Sequence, residues 1–369
     1  MSAALSPQES IARLRAAAAR LGRHANFMEV CGTHTVSVFR SGLHSLMPDN
    51  VTLLSGPGCP VCVTSQGDID QLVELALRKD VTLCTYGDMI RVTGATGSLE
   101  GARGQGADVR VLYSALDAVK IAIAEPRRQV VFAAVGFETT TPATAAAILE
   151  ADRLFLGNFT ALTSHKVIMP AMRALLEGGS STGKLINVDG FLCPGHVAVI
   201  LGAAAFRPVV ENYGKACVIA GFEPEQIAAA MALLVEMVAD GKPVLANAYP
   251  QAVSEEGNTV AWGLVQKVFE PCPSYWRGLG VLPDSGLGLR APYTRYDARI
   301  RFELGTPGNR EPAGCRCGDV ITGRATPAEC RLFGNVCTPI RAIGPCMVSS
   351  EGTCQAWFKY QRVSKEGKP

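Results

Sequence analysis

Short β-branched apolar runs alternate with longer amphipathic stretches over the first 250 or so residues. The runs at 26–30, 51–55, 81–86, 109–114, 129–136, 159–164, 186–193 and 216–221 predict strands. The stretches at 66–79, 115–124, 142–152, 167–177 and 224–240 predict helices between them. Such alternation predicts parallel sheets covered by helices. Eight strands are too many for one small sheet, and Glu125-Pro126-Arg127 supplies a break. The expected fold class is α/β, with two doubly wound, Rossmann-like parallel-sheet domains over 25–125 and 126–250 that face a cleft. Residues 1–24 read as a helix packed on the rest, with Ser6 as N-cap, Pro7 in the first turn and Glu9 as capping-box partner.

From about residue 270 the alternation fades and Gly, Pro, Arg and Cys rise. "VLPDSGLGLR" and "RFELGTPGNREPAG" read as loops. Residues 251–369 are expected to form a small irregular domain without a large apolar core, held together by a cofactor.

The length of 369 residues suits two or three domains, and 48% hydrophobic residues suffice for their cores. A net charge of +2 and no Lys/Arg run argue against a nucleic-acid partner. The longest clean apolar run, 197–206, is too short for a bilayer, which needs about 20 residues. The N-terminus has no basic start followed by an apolar block, so it reads as a mature helix and the expected location is the cytoplasm. Thirteen cysteines change the picture. The number is odd, and in a reducing compartment clustered thiols bind metal or do redox chemistry.

Unusual residues follow the strands. "CGTHT" (31–35), "GPGCPVC" (56–62), "GDM" (87–89), "GFETTTP" (136–142) and "CPGH" (193–196) each come after an apolar run. In parallel sheets these strand ends share one rim, where ligands bind. Cys31 and His34 stand three apart, which suits a shared metal or a thiolate beside an imidazole, while a helix cap and a buried thiol explain them equally. Cys59 and Cys62 lie where a strand runs into a helix, whose N–H groups favour thiolate; they suit a short disulfide or a metal. Thr141 and Pro142 read as a helix start, which leaves Glu138 and Thr139 at the rim. Cys193, His196 and His165 are further rim groups, with helix starts and core packing as the plain account.

Six cysteines, 315, 317, 330, 337, 346 and 354, crowd the C-terminal region. Six exceed the four that a 4Fe–4S cube takes, leaving two for a redox pair; one or two zinc sites fit the same spacing.

"CGTHT", "GPGCPVC", "GFETTTP", "CPGH" and "GPCMVSSEGTC" occur in the order seen in the hydrogenase maturation family HypD, which the chain resembles over nearly its whole length. The resemblance implies a cytoplasmic scaffold for the Fe(CN)2CO group of nickel–iron hydrogenases. It implies a small HypC-type chaperone that shares the iron, a HypE-type carrier that delivers cyanide, and a 4Fe–4S cluster in the third domain. Carried over by position, Cys31 becomes the iron ligand and His34 its support or proton donor. Cys59 and Cys62 become a dithiol/disulfide pair facing the same iron, with Glu138, Thr139 and His196 lining the cleft. Cys315, Cys330, Cys337 and Cys354 become cluster ligands, and Cys317 and Cys346 the accessory redox pair. Cys84, Cys217 and Cys272 are left as core or surface thiols. The rivals are a self-contained iron–sulfur oxidoreductase acting on disulfides, and a zinc-stabilised binding module. No P-loop pattern supports nucleotide hydrolysis.

Overall fold

The computed structural model describes residues 6–178, 185–305, 308 and 311–366. Helix α1 (Pro7–Arg20) starts on the expected capping box: Ser6 Oγ accepts the Glu9 N–H while the Glu9 carboxylate accepts the Ser6 N–H. All eight expected strands are present: β1 (Ala25–Glu29), β2 (Val51–Ser55), β3 (Val81–Thr85), β4 (Asp108–Val111), β5 (Gln129–Gly136), β6 (Phe159–His165), β7 (Gly190–Pro194) and β8 (Ala216–Ala220). Three more follow: β9 (Leu245–Asn247), β10 (Phe269–Trp276) and β11 (Gly280–Leu289). The early helices are α2 (Gly32–Arg40), α3 (Pro60–Val63) and α4 (Gln66–Ala76). β7 begins later than the sequence suggests. Asp189 turns its carboxylate back to accept the Asn26 N–H at 2.8 Å and to pair with Arg23, so pairing with β1 starts at Gly190.

Two parallel sheets form, one ordered β2-β1-β7-β8-β9 and the other β4-β3-β5-β6, beside an antiparallel pair β10-β11. Each parallel sheet reverses its direction of growth once, between β1 and β7 and between β3 and β5. Strand ends at such a reversal are the usual ligand crevice of an open sheet.

The division expected at residues 125–126 is not followed by strand pairing. β5 pairs directly with β3, and β7 pairs with β1. The whole of β3 to β6 is thus inserted between β2 and β7, with α3 and α4 carrying the chain from the first sheet to the second.

Alternation within the strands explains how the sheets cohere. Phe27, Leu192 and Val218 turn to a core shared with α1 and the helix Pro224–Ala239. Phe132 and Ala134 turn to another, closed by Phe269, Leu287 and Tyr296. Met28, Phe191, Leu83 and Val131, on the opposite faces, enter one common core that also takes in Cys62, Cys317 and Cys346. Period-two alternation thus gives each sheet a private face and a shared one.

The region after residue 250 is not one irregular domain. β10 and β11, with the segments after them up to Arg301, pack on the second sheet, so "VLPDSGLGLR" is strand and not loop. Prolines 271, 273 and 283 hid it; a two-stranded ribbon tolerates them because each strand has a free edge, and the register shifts between Cys272 and Ser274. Part of "RFELGTPGNREPAG" lies outside the described residues. No helix is long and apolar enough to cross a membrane among the described residues.

Candidate functional site

Cys31 is the N-cap of α2 and sits directly beyond β1, at the reversal of the five-stranded sheet. The "GPGCPVC" segment lies against it, backbone on backbone. Gly32 N–H donates to the Gly58 carbonyl at 3.1 Å, and Gly56 N–H to the Glu29 carbonyl at 2.7 Å. A Cβ on Gly58 would stand 2.2 Å from the Cys31 nitrogen. Glycine is needed here for close approach, not for an unusual torsion.

Cys59 and Cys62 are joined in a disulfide, with Cα atoms 5.2 Å apart. Cys59 is the N-cap of α3, and its sulfur accepts the Cys62 N–H at 3.2 Å. The C-terminal segment closes this corner. Ser349 Oγ lies 3.3 Å from Cys59 Sγ, and Asp88 accepts hydrogen bonds from Ser349 Oγ, Ser350 N and Ser350 Oγ. Glu351 accepts from Thr33 Oγ1 at 2.7 Å, over Gly32. Residues from both sheets and from the C-terminus therefore meet at Cys31.

A buried carboxyl and a half-buried one flank Cys31. Glu29 accepts the Cys31 N–H at 3.0 Å on Oε2 and the Thr35 hydroxyl on Oε1. Burial pushes Glu29 up to about 8. Burial, then the Glu351 carboxylate, pushes the Cys31 thiol up to about 12, against the N–H groups of His34 and Thr33 that favour thiolate. A metal bound there must displace the thiol proton. Neither Glu29 nor Glu351 was singled out from the sequence. The signal for Glu29 was a carboxylate ending an otherwise apolar strand.

His34 is fully buried, and burial lowers it to about 4. Its neutral ring donates from Nε2 to the Gly221 carbonyl at 2.9 Å, while Nδ1 has no hydrogen-bond partner. The ring stacks on Phe222, which stacks in turn on the exposed His196 at 3.7 Å between centroids. Its hydrogen bond thus goes to the end of β8, two strands away from β1, and not to Cys31. Glu138 is buried at the end of β5; Oε1 accepts the Ile168 N–H at 2.8 Å, Oε2 is unpartnered, and burial raises the group to about 7. Among the described residues no hydrogen bond links it to the thiols, and Thr139 beside it is exposed. His165 bonds Thr144 inside the fold, and Cys193 is fully buried against the Cys217 thiol.

The six C-terminal cysteines all line one small cavity of about 20 Å³, together with Arg316, Val320, Leu332, Phe333 and Met347. Cys317 touches both Cys315 and Cys346 through its thiol, and Cys346 touches Cys354. Cys346 Sγ also accepts the Cys354 N–H at 3.1 Å, and Cys337 Sγ the Ile343 N–H at 3.3 Å. Cys317 and Cys346 are buried to 3% and 1% exposure, so the middle pair is the one sealed from solvent. No three His, Cys, Asp or Glu side chains among the described residues converge as a preformed site for one metal ion. Six thiols around one cavity with mostly apolar walls suit a thiophilic group.

A sequence model of the family described as "HypD: Hydrogenase formation hypA family" matches residues 6–361. The chain is similar to the hydrogenase maturation factor HypD of Rhizobium leguminosarum bv. viciae, 45% identical over 362 residues, covering 97% of this chain and 94% of the relative. It is 45% identical over 343 residues to HypD of Azotobacter vinelandii, covering 92% and 90% of the two chains. HypD of Escherichia coli (strain K12) is 41% identical over 347 residues, covering 93% and 91%.

Proposed function

The chain belongs to the HypD family of hydrogenase maturation factors, and from that premise we propose that it is a cytoplasmic scaffold on which the Fe(CN)2CO group of nickel–iron hydrogenases is put together. The observation that carries this reading is the backbone lock between Cys31 and the Cys59–Cys62 turn. It holds a single thiol and a redox-capable pair at one corner, at the reversal of a sheet.

The iron is cargo. Cys31 is its ligand on this chain, and a HypC-type chaperone supplies a second thiolate. Glu29 fixes the Cys31 backbone, and Glu351 holds the start of α2 through Thr33. Cyanide arrives from a HypE-type carrier. Releasing it from a thiocyanate is a two-electron reduction, which a dithiol at Cys59 and Cys62 supplies by closing to its disulfide. His34, His196, Glu138 and Thr139 are placed in this reading as groups that shape the surrounding crevice.

Cys315, Cys330, Cys337 and Cys354 are the residues that would hold a 4Fe–4S cluster; the cavity shared by all six thiols supports this. Such a cluster, when bound, supplies single electrons. Cys317 and Cys346, in contact and buried, form the accessory pair that opens and closes beside it.

The test is iron, zinc and acid-labile sulfide content of anaerobically purified protein, wild type beside Cys31→Ala. About four iron and four sulfide in both, with extra iron in the wild type alone, supports the scaffold. Equal iron in the two favours a self-contained disulfide oxidoreductase. Zinc without sulfide sinks both. Replacing Cys59 or Cys62 with Ala is expected to stop ligand loading, and loading that survives both changes removes the redox role.

A further inference from the structure

The outer edge of a sheet invites an added strand, and folded chains blunt such edges with charge, shortness or cover. Three of the four edges of the two parallel sheets are blunted. β4 carries Asp108 and Arg110, paired with each other, and Arg110 also pairs with Glu125. β9 has three residues. β6 is bridged at Ala161 by Asp297 and, just past its end, at Lys166 by Gly286. β2 has none of these devices. Its "VTLLS" is uncharged, five residues long, and pairs only with β1 among the described residues.

The register shows which backbone groups are left over. Ala25 N–H donates to the Asn50 carbonyl at 2.9 Å and Gly56 N–H to the Glu29 carbonyl at 2.7 Å, so Thr52 and Leu54 face β1 between them. Leu53 and Ser55 therefore turn N–H and C=O outward, and these find no backbone partner among the described residues. All of β2 lines a groove of about 530 Å³ that begins at Met47. Its far wall is the segment 323–327 and Trp357 of the helix Thr353–Glu366. Trp357 is held there by ring contacts with Phe39 and His44, at 5.5 and 5.6 Å between centroids.

Arg324 belongs to the same wall. Nη1 donates to the Gly278 carbonyl at 3.0 Å, Nε has no partner, and the side chain makes no ion pair among the described residues. The neighbouring acids are engaged elsewhere: Asp319 pairs with Arg316, and Glu329 accepts the Thr326 N–H and hydroxyl. The groove thus holds a guanidinium without a counter-charge.

We propose that this groove docks a partner polypeptide, which adds an extended segment to the free edge of β2 and sets a carboxylate on Arg324. Leu53 and Ser55 supply the backbone hydrogen bonds, Trp357 the apolar wall and Arg324 the charge. A second copy of this chain does not fit, because the groove is walled on both sides and the edge of another folded sheet would meet Trp357 and the 323–327 segment. The lining reaches Ser55 and Thr353, next to Gly56, which bonds Glu29, and close to Glu351, which holds Thr33. A partner seated there is brought up to the Cys31 corner. The site needs no assumption about what the thiols carry.

The test is hydrogen exchange of the full-length protein, read at single amides, alone and with millimolar probe peptides of alternating valine and threonine. One peptide carries a central glutamate, one a lysine in its place, and one the glutamate with its backbone amides N-methylated. In the free protein Leu53 and Ser55 are expected to exchange at least about tenfold faster than Thr52 and Leu54. The glutamate peptide is expected to slow both by roughly tenfold. The lysine peptide, and the glutamate peptide on Arg324→Gln, are expected to bind roughly threefold more weakly. Leu53 and Ser55 as slow as their neighbours in the free protein, no protection by the glutamate peptide, or equal protection by the methylated one overturns the docking edge. Equal protection by the glutamate and lysine peptides overturns the carboxylate on the partner. Protection that rises with protein concentration without peptide makes the occupant a second copy and overturns the partner. If Arg324→Gln does not fold, the glutamate and lysine peptides on wild type decide.

Discussion

The molecule holds two groups of thiols by opposite means. Around Cys31 the geometry is made by backbone: strand ends, two glycine approaches and hydrogen bonds between neighbouring loops. Around the C-terminal cavity most elements are four-residue helices, Cys317–Val320 and Pro345–Val348, and a short 3-10 turn, Pro327–Glu329, set against one longer helix, Thr353–Glu366, that carries Cys354. Helices of one turn carry almost no stability of their own. The first group is therefore shaped before anything binds, and the second relies on its packing and on whatever its sulfurs hold. A scaffold that must receive and release cargo gains from the first arrangement; a resident cofactor suits the second.

Breaking each group should expose this contrast. The largest effect is expected from Gly58→Ala, whose new methyl meets the Cys31 backbone; a loss of about 3 kcal/mol or more in denaturant unfolding checks it. Next, where the cavity holds the proposed cluster, removing it with a chelator should speed amide exchange in residues 315–354 by roughly tenfold or more and leave β1 and β5 nearly unchanged, as read by hydrogen exchange. A smaller, pH-dependent effect belongs to Glu29. Its folded value of about 8 lies above the ordinary 4.5, so the folded state keeps a proton that the unfolded chain loses. Its contribution to stability is complete below 4.5 and falls as pH rises toward 8. Glu29→Gln should flatten that part of the stability profile. His165, lowered to about 4 by burial, acts the other way: its contribution is present above 6.5 and is lost as pH falls toward 4, and His165→Gln should remove that acid limb. The smallest change is expected at the exposed pair Arg316–Asp319, where Arg316→Ala should cost under about 0.5 kcal/mol by thermal unfolding. Charge pairs on its surface do not hold the second region together.

Eight of the nine strands described in the two sheets were legible as short apolar runs, and β2 and β5 begin and end where the pattern does, while β9, three half-buried residues, was not. Strand order was not legible. Nothing in β1 itself says that its second neighbour is β7, since parallel neighbours are chosen by packing across the common core and not by local turns. α2 was hidden by Gly32 at its start, and β10–β11 by their prolines. At the site, Cys31, Cys59 and Cys62 stood out by type and spacing. Glu29 and Glu351 did not, because a single charged residue reads as solvated until its packing is seen. His34 was found by motif, but its hydrogen bond to Gly221 comes from a strand distant in sequence.

The insertion of one sheet inside the other also sets a schedule for synthesis. β1 carries Cys31 and pairs with β2 soon after it is made, but Phe27 waits for Gly190 before its other edge is covered. At 5–20 residues per second, that interval is roughly ten to thirty seconds. Throughout it the "CGTHT" and "GPGCPVC" loops have left the ribosome, while Gly221, Ser349 and Glu351, which later close over them, do not yet exist. The nascent chain thus presents Cys31, Cys59 and Cys62 to solvent well before they are enclosed. The window is one in which reactive metals or oxidants can reach them, and cells that make this protein quickly are expected to need a reducing environment at the ribosome more than at the finished fold.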